Sequence, residues 1–142
     1  MKNHSLPLQL WELDDKGFHA VVRASLQGKP ILLLIDTGAN HSCFDTHFFT
    51  NLIGNDSIKG SDEHNVGIGG DDFETVIATI SNLKIARVTI PPMEIRLLDL
   101  SKVNDMYKMV GFSPIQGILG GDFFKKYRAI INYDNNTLCF SK

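Results

Sequence analysis

The sequence predicts an all-β protein, a closed, barrel-like sheet with two or three short helices. Three observations point there. About seven to nine short apolar runs recur along the 142 residues, most of them alternating apolar with polar positions. That period of two marks a strand with one buried face. Turn residues punctuate the runs, as in "QGKP", "GIGG" and "YDNN". Helical periodicity is confined to a few short windows, so strands do not alternate with helices as a parallel β/α sheet requires.

Taken in order, residues 1–17 read as an N-terminal extension and 18–142 as one domain. "FHAVVRASL" (18–26) places Ala20, Val22, Ala24 and Leu26 on one face, and the turn "QGKP" joins it to the aliphatic run Ile31–Ile35, which predicts a hairpin. Asp45 is placed to cap a short helix over Thr46–Leu52, with Gly54 as its stop. Residues 55–65 are polar and read as loop. "VGIGGDDFETVIATI" (66–80) reads as strand, glycine turn and strand. Residues 83–90 and 93–100 each read as one strand, separated by Pro91-Pro92. Ser101 is expected to cap a helix through Val110, with Met106 and Met109 packed inward and Gly111 as its end. "GILGG" (117–121) is apolar and glycine-rich. Asp122 is expected to cap the short helix "FFKKY", and 128–140 reads as a closing hairpin.

Composition narrows the function. Apolar residues make up 43% and charged residues 21%, the balance of a globular domain. A chain of this length buries roughly two-thirds of its unfolded surface, so it needs no staples. The net charge of −2 gives no electrostatic case for nucleic acid or anionic membrane. No apolar run approaches the roughly 20 residues that span a bilayer, and the first residues lack a signal-peptide core, so a cytoplasmic location is expected. Cys43 and Cys139 are too few for a disulfide framework and are expected as free thiols.

The stretch "ILLLIDTGAN" (31–40) carries the chemistry. A buried strand runs straight into Asp36, and a carboxylate there is costly unless something pairs with it. Taken alone, Asp36-Thr37-Gly38 is also a plain turn sequence. Two later features line up with it: the glycine-rich hairpin "GIGG" at 67–70, and Ile118-Leu119-Gly120 ahead of a short helix and a final hairpin.

This ordered set resembles the retropepsin-like aspartic peptidases, single-domain relatives of pepsin, over residues 18–140. The insertion from Pro91 to Gln116 is longer than retroviral chains have, and Gly121-Asp122 stands where those often carry Gly-Arg. The cellular and bacterial members are the closer match. The resemblance implies Asp36 as the catalytic residue, with Thr37, Gly38 and Ala39 supporting the catalytic loop. It implies a flap from Val66, Gly67, Ile68, Gly69 and Gly70 closing over an extended polypeptide substrate. Ile118, Leu119 and Gly120 pack behind the catalytic turn. No metal and no cofactor are implied.

Physical chemistry agrees with that set. Water attacks an amide poorly, and two carboxylates sharing one proton remedy this, one activating water while the other protonates the carbonyl oxygen. The chain holds a single Asp-Thr-Gly, so the second carboxylate is expected from a second copy by two-fold symmetry, which makes the expected assembly a homodimer. The alternative is a non-catalytic dimeric module that holds a peptide or protein in the same cleft. Other readings are weaker. His41, Cys43, His47 and His64 lack the spacing of a structural zinc site, and "GIGGDD" lacks the lysine of a phosphate loop.

Overall fold

A computed structural model describes residues 1–14, 17–66 and 72–142. Among them lie thirteen strands: β1 (Asn3–Pro7), β2 (Gln9–Glu12), β3 (Phe18–Leu26), β4 (Lys29–Ile35), β5 (Cys43–Asp45), β6 (Ile58–Val66), β7 (Asp72–Ile80), β8 (Leu83–Ile85), β9 (Val88–Ile90), β10 (Met93–Leu98), β11 (Gly117–Leu119), β12 (Ile130–Asn132) and β13 (Thr137–Ser141). Three helices join them: α1 (Thr46–Ile53), α2 (Ser101–Met109) and α3 (Gly121–Lys126). The predicted all-β, barrel-like class holds.

Most strands form one curled sheet in the order β6-β7-β10-β5-β11-β4-β3-β8-β9, with β2 added beside β3. β3 and β4 are the expected hairpin, with Gln27 and Gly28 both at positive φ (52° and 78°) in the two-residue turn. That geometry follows the right-handed twist of the strands and favours glycine. β11 enters between β4 and β5, parallel to β4 and antiparallel to β5, and so braces the strand that ends at Asp36. A separate sheet, β1-β13-β12, packs the chain's two ends together.

Several sequence readings change. Residues 3–7 and 9–12 supply two strands where the N-terminal pattern suggested none, because β1 gains its ladder only by pairing with β13. Polar residues 58–65 form most of β6, whose partner β7 supplies the hydrogen bonds that the side chains do not advertise. The run 83–90 breaks at Ala86 and Arg87, both at positive φ, into β8 and β9. Asp45 caps α1 as expected, accepting from Phe48 N–H. Ser101 does not cap α2. Asp99 stands before it and accepts from Ser101 N–H, which holds the Asp99 carboxyl below its usual range. Met106 and Met109 face outward, at 40% and 86% exposure, so α2 buries only Tyr107 fully.

The interior divides in two. The larger core, around Leu26, Leu33, Phe44, Phe49, Ile95, Phe123 and Phe140, fills the curl of the sheet. A smaller one lies on the opposite face, where Tyr107 of α2 meets Trp11, Val21, Leu100 and Ile115. Trp11 stacks on Phe112 at 4.7 Å and takes Tyr107 edge-on at 5.0 Å, which fastens the 91–116 insertion to β2 and β3.

Candidate active site

Alternation along β4 buries Ile31 and Leu33 and turns Leu32, Leu34 and Asp36 to the other face. Asp36 leaves the strand exposed, as do Thr37 and Gly38. Its backbone is pinned, with Asp36 N–H donating to Leu119 C=O at 3.0 Å and Ala39 N–H donating to Asp36 C=O at 3.2 Å. Its carboxylate is aimed as well, since Oδ1 accepts from Gly38 N–H at 3.0 Å. A Cβ at Gly38 would lie 3.3 Å from that same oxygen, so glycine keeps the approach clear. The Thr37 hydroxyl makes no hydrogen bond among the described residues.

Behind the loop, Ile118 pairs with Leu34, and Leu119 pairs with Ile35 at 1% exposure. Gly120 comes so close that a Cβ there would meet Ala39 O at 2.8 Å and His41 C at 3.1 Å. Gly121 N–H donates to Ala39 O at 2.8 Å. The sequence-derived trio Ile118, Leu119 and Gly120 is thus brought against the Asp36 loop. Of the flap positions, Val66 ends β6, and Gly67, Ile68, Gly69 and Gly70 lie outside the described residues.

A further clasp was not legible in the sequence. Ser42, 1% exposed, donates from its hydroxyl to Asp122 Oδ1 at 2.7 Å and from its N–H to Asp122 Oδ2 at 2.9 Å. The same hydroxyl accepts from Gly120 N–H at 2.9 Å. Asp122 therefore does not cap α3, whose N-cap is Gly120. It sits in the first turn, where its charge also suits the positive end of the helix, and locks residue 42 to 120. Two carboxylate bonds and one backbone bond satisfy a buried serine completely, which makes the clasp rigid.

Cys43, one residue on, is buried at 3% and unpaired. Burial pushes its thiol up to about 12, with the Asp36 and Asp122 charges adding to the rise. The thiolate is the reactive form, so Cys43 stays a protonated packing residue at neutral pH. Iodoacetamide at mildly alkaline pH is expected to spare Cys43 in the folded protein and modify it after denaturation, as read by peptide mass mapping. Modification of native Cys43 at the rate of a free thiol would contradict its burial. His41 lies on the exposed side, with Nε2 3.5 Å from Arg96 Nη2. No group of three or more potential metal ligands converges among the described residues.

Beside Asp36 opens a cavity of about 300 Å3 walled by Phe18, His19, Leu34, Ile35 and Tyr133. Phe18 and Tyr133 meet edge-on at 5.4 Å. His19 Nδ1 lies 2.6 Å from the Tyr107 hydroxyl. Burial raises the Tyr107 phenol to about 12, so it keeps its proton at neutral pH and donates when His19 Nδ1 is unprotonated.

A curled sheet, a strand running into Asp-Thr-Gly and an Ile-Leu-Gly brace behind it define the fold of the retropepsin-like aspartic proteases. The sequence model of the aspartyl protease family matches residues 22–123, and the chain belongs to that family. Solved structures share the fold. A retropepsin-like aspartic protease from Rickettsia conorii superposes with TM-score 0.61 at 12% identity, over 98% of this chain and 91% of that one. The retroviral protease-like domain of Ddi1 from Leishmania major gives 0.55 at 16% identity, over 83% and 84%. EIAV protease in complex with the inhibitor HBY-793 gives 0.52 at 20% identity, over 81% and 92%. No curated protein matches the sequence. Among the described residues, no helix is long and apolar enough to cross a membrane.

Proposed function

We propose that the protein is an aspartic endopeptidase that cleaves an extended polypeptide between the Asp36 residues of two copies. The observation that carries this reading is an exposed carboxylate fixed at the end of a buried strand, its oxygen held by Gly38 N–H. Exposed carboxylates are normally mobile, and this one is held ready for a partner. Two like charges at contact distance share one proton. The ionised carboxylate takes a proton from the water lying between them while the protonated one gives its proton to the carbonyl oxygen. The water oxygen bonds to the carbonyl carbon to give a diol. The C–N bond then breaks as the newly protonated carboxylate passes its proton to the leaving nitrogen and the other carboxylate takes one from a diol hydroxyl, which restores the shared proton.

The same surface supports a two-fold seam. The Thr37 hydroxyl has no partner among the described residues, which leaves it available to bond its counterpart. Phe18 and Tyr133, at 45% and 54% exposure, wall the cavity beside Asp36 and supply apolar surface for association. Ala39 supports the loop through its backbone bonds, and residues 66–70 act as the flap that excludes water.

The test is incubation with a mixed peptide library, with and without a statine-type transition-state analogue, alongside sedimentation at micromolar concentration. Analogue-sensitive cleavage, a two-fold dimer and specific activity that falls on dilution are expected. A fully active monomer would overturn the shared site, and peptide retention without any cleavage would make the protein a non-catalytic holding module.

A further inference from the structure

β3 changes partner midway. On one side it pairs with β2 through residues 18–21 and with β8 through residues 24–26, so the sheet splits at Val22 and Arg23. A trough opens at the split. One part, about 630 Å3, has Ala24 and Ser25 as floor, with the β1–β2 link on one wall and the β8–β9 turn on the other. A second part, about 540 Å3, shares Gln9, Arg23 and Ala24 with it and continues to Trp11, Phe112 and Pro114. The shared residues make the two one groove.

Its chemistry is polarised. Arg23, Lys84 and Arg87 line the first part, and no carboxylate lines either part among the described residues. None of the three cations makes an ion pair, the one found among the described residues being Lys59–Glu94. Arg87 is also held at a cost. It and Ala86 occupy the turn at φ of 65° and 52°, a region where L side chains are disfavoured and Asn or Gly is usual. A strained arginine beside two unpaired cations in a concavity is a site awaiting negative charge. The other part is aromatic and proline-lined, suited to extended peptide side chains.

We propose that this trough is a docking site for an acidic polypeptide segment in which Asp or Glu residues neighbour an aromatic or proline residue. A small anion satisfies the cations and leaves the Trp11–Phe112 part empty. A long nucleic acid gains little from a chain of net charge −2. Leu32, which lines the aromatic part, lies four residues before Asp36 on the same face of β4, about 13 Å along the strand. A segment docked here rests on the face that carries Asp36, and its binding does not depend on whether Asp36 hydrolyses.

The full chain carrying Asp36→Asn, which prevents turnover of bound peptide, is panned against a random peptide library. Selected sequences are fluorescein-labelled and titrated by anisotropy, with the emission of Trp11, the chain's single tryptophan, as a second reporter. Enrichment of Asp or Glu next to aromatic or proline residues is expected. Affinity should fall about tenfold or more in Arg23→Glu/Arg87→Glu and by less in Arg23→Gln/Arg87→Gln, whose uncharged side chains keep folding out of question. Raised salt should weaken binding in step. Failure to recover acidic sequences, binders indifferent to both double variants, or displacement of the peptide by inorganic phosphate at constant ionic strength overturns the proposal.

Discussion

Asp36→Asn is expected to lower kcat/KM for peptide hydrolysis at least about a thousandfold while leaving fold and assembly intact. In the single chain the side chain is exposed, and Asn matches Asp in size, so the replacement opens no cavity in the fold. The Asn carbonyl oxygen still accepts from Gly38 N–H in the place of Oδ1. What disappears is the ionisable group, and with it the shared proton on which the proposed chemistry turns. Thermal melting and sedimentation should therefore match the parent while turnover vanishes. Near-parental cleavage by this variant would remove Asp36 from the mechanism.

Gly120→Ala is expected to act through the loop without touching the carboxylate. Its Cβ would enter at 2.8 Å from Ala39 O, and a backbone oxygen cannot swing aside as a flexible side chain can. Residues 39–42 must move, which stretches the Gly121–Ala39 and Gly120–Ser42 bonds. Overpacking of this kind costs about 1–3 kcal/mol, or about 3–10 °C in Tm for a chain of this size. Activity should fall further than stability, because a small displacement at the reacting groups is heavily penalised. A variant with parental Tm and parental kcat/KM would show that the approach of β11 to the loop is unimportant.

The parts of the fold that were legible are those whose signal is local. The β3–β4 hairpin announces itself through alternation and a glycine turn, and Asp45 through its position before α1. Asp36 stood out because a carboxylate ending an aliphatic strand demands an explanation. What was not legible depends on partners far along the chain. β1 is a strand because β13 lies beside it, and β6 because β7 does, with little help from their own polar residues. Asp122 looked like a helix cap since only the sequence beside it was visible. Its actual partner, Ser42, is 80 positions away. The methionines of α2 share a helix with Tyr107, yet Tyr107, half-buried Val103 and the Asn104–Ile115 bonds anchor that helix and leave them outside.

The Ser42–Asp122 clasp has a temporal consequence. Asp36 emerges from a ribosome more than 80 residues ahead of Leu119, Gly120 and Asp122, which hold its loop in place. Contacts so distant along the chain are entropically slow to close and form late. Throughout that interval the chain therefore carries the Asp-Thr-Gly triplet without the brace that shapes it. The proposed competence to cut is acquired only once residue 122 has been made, a delay written into the order of the strands.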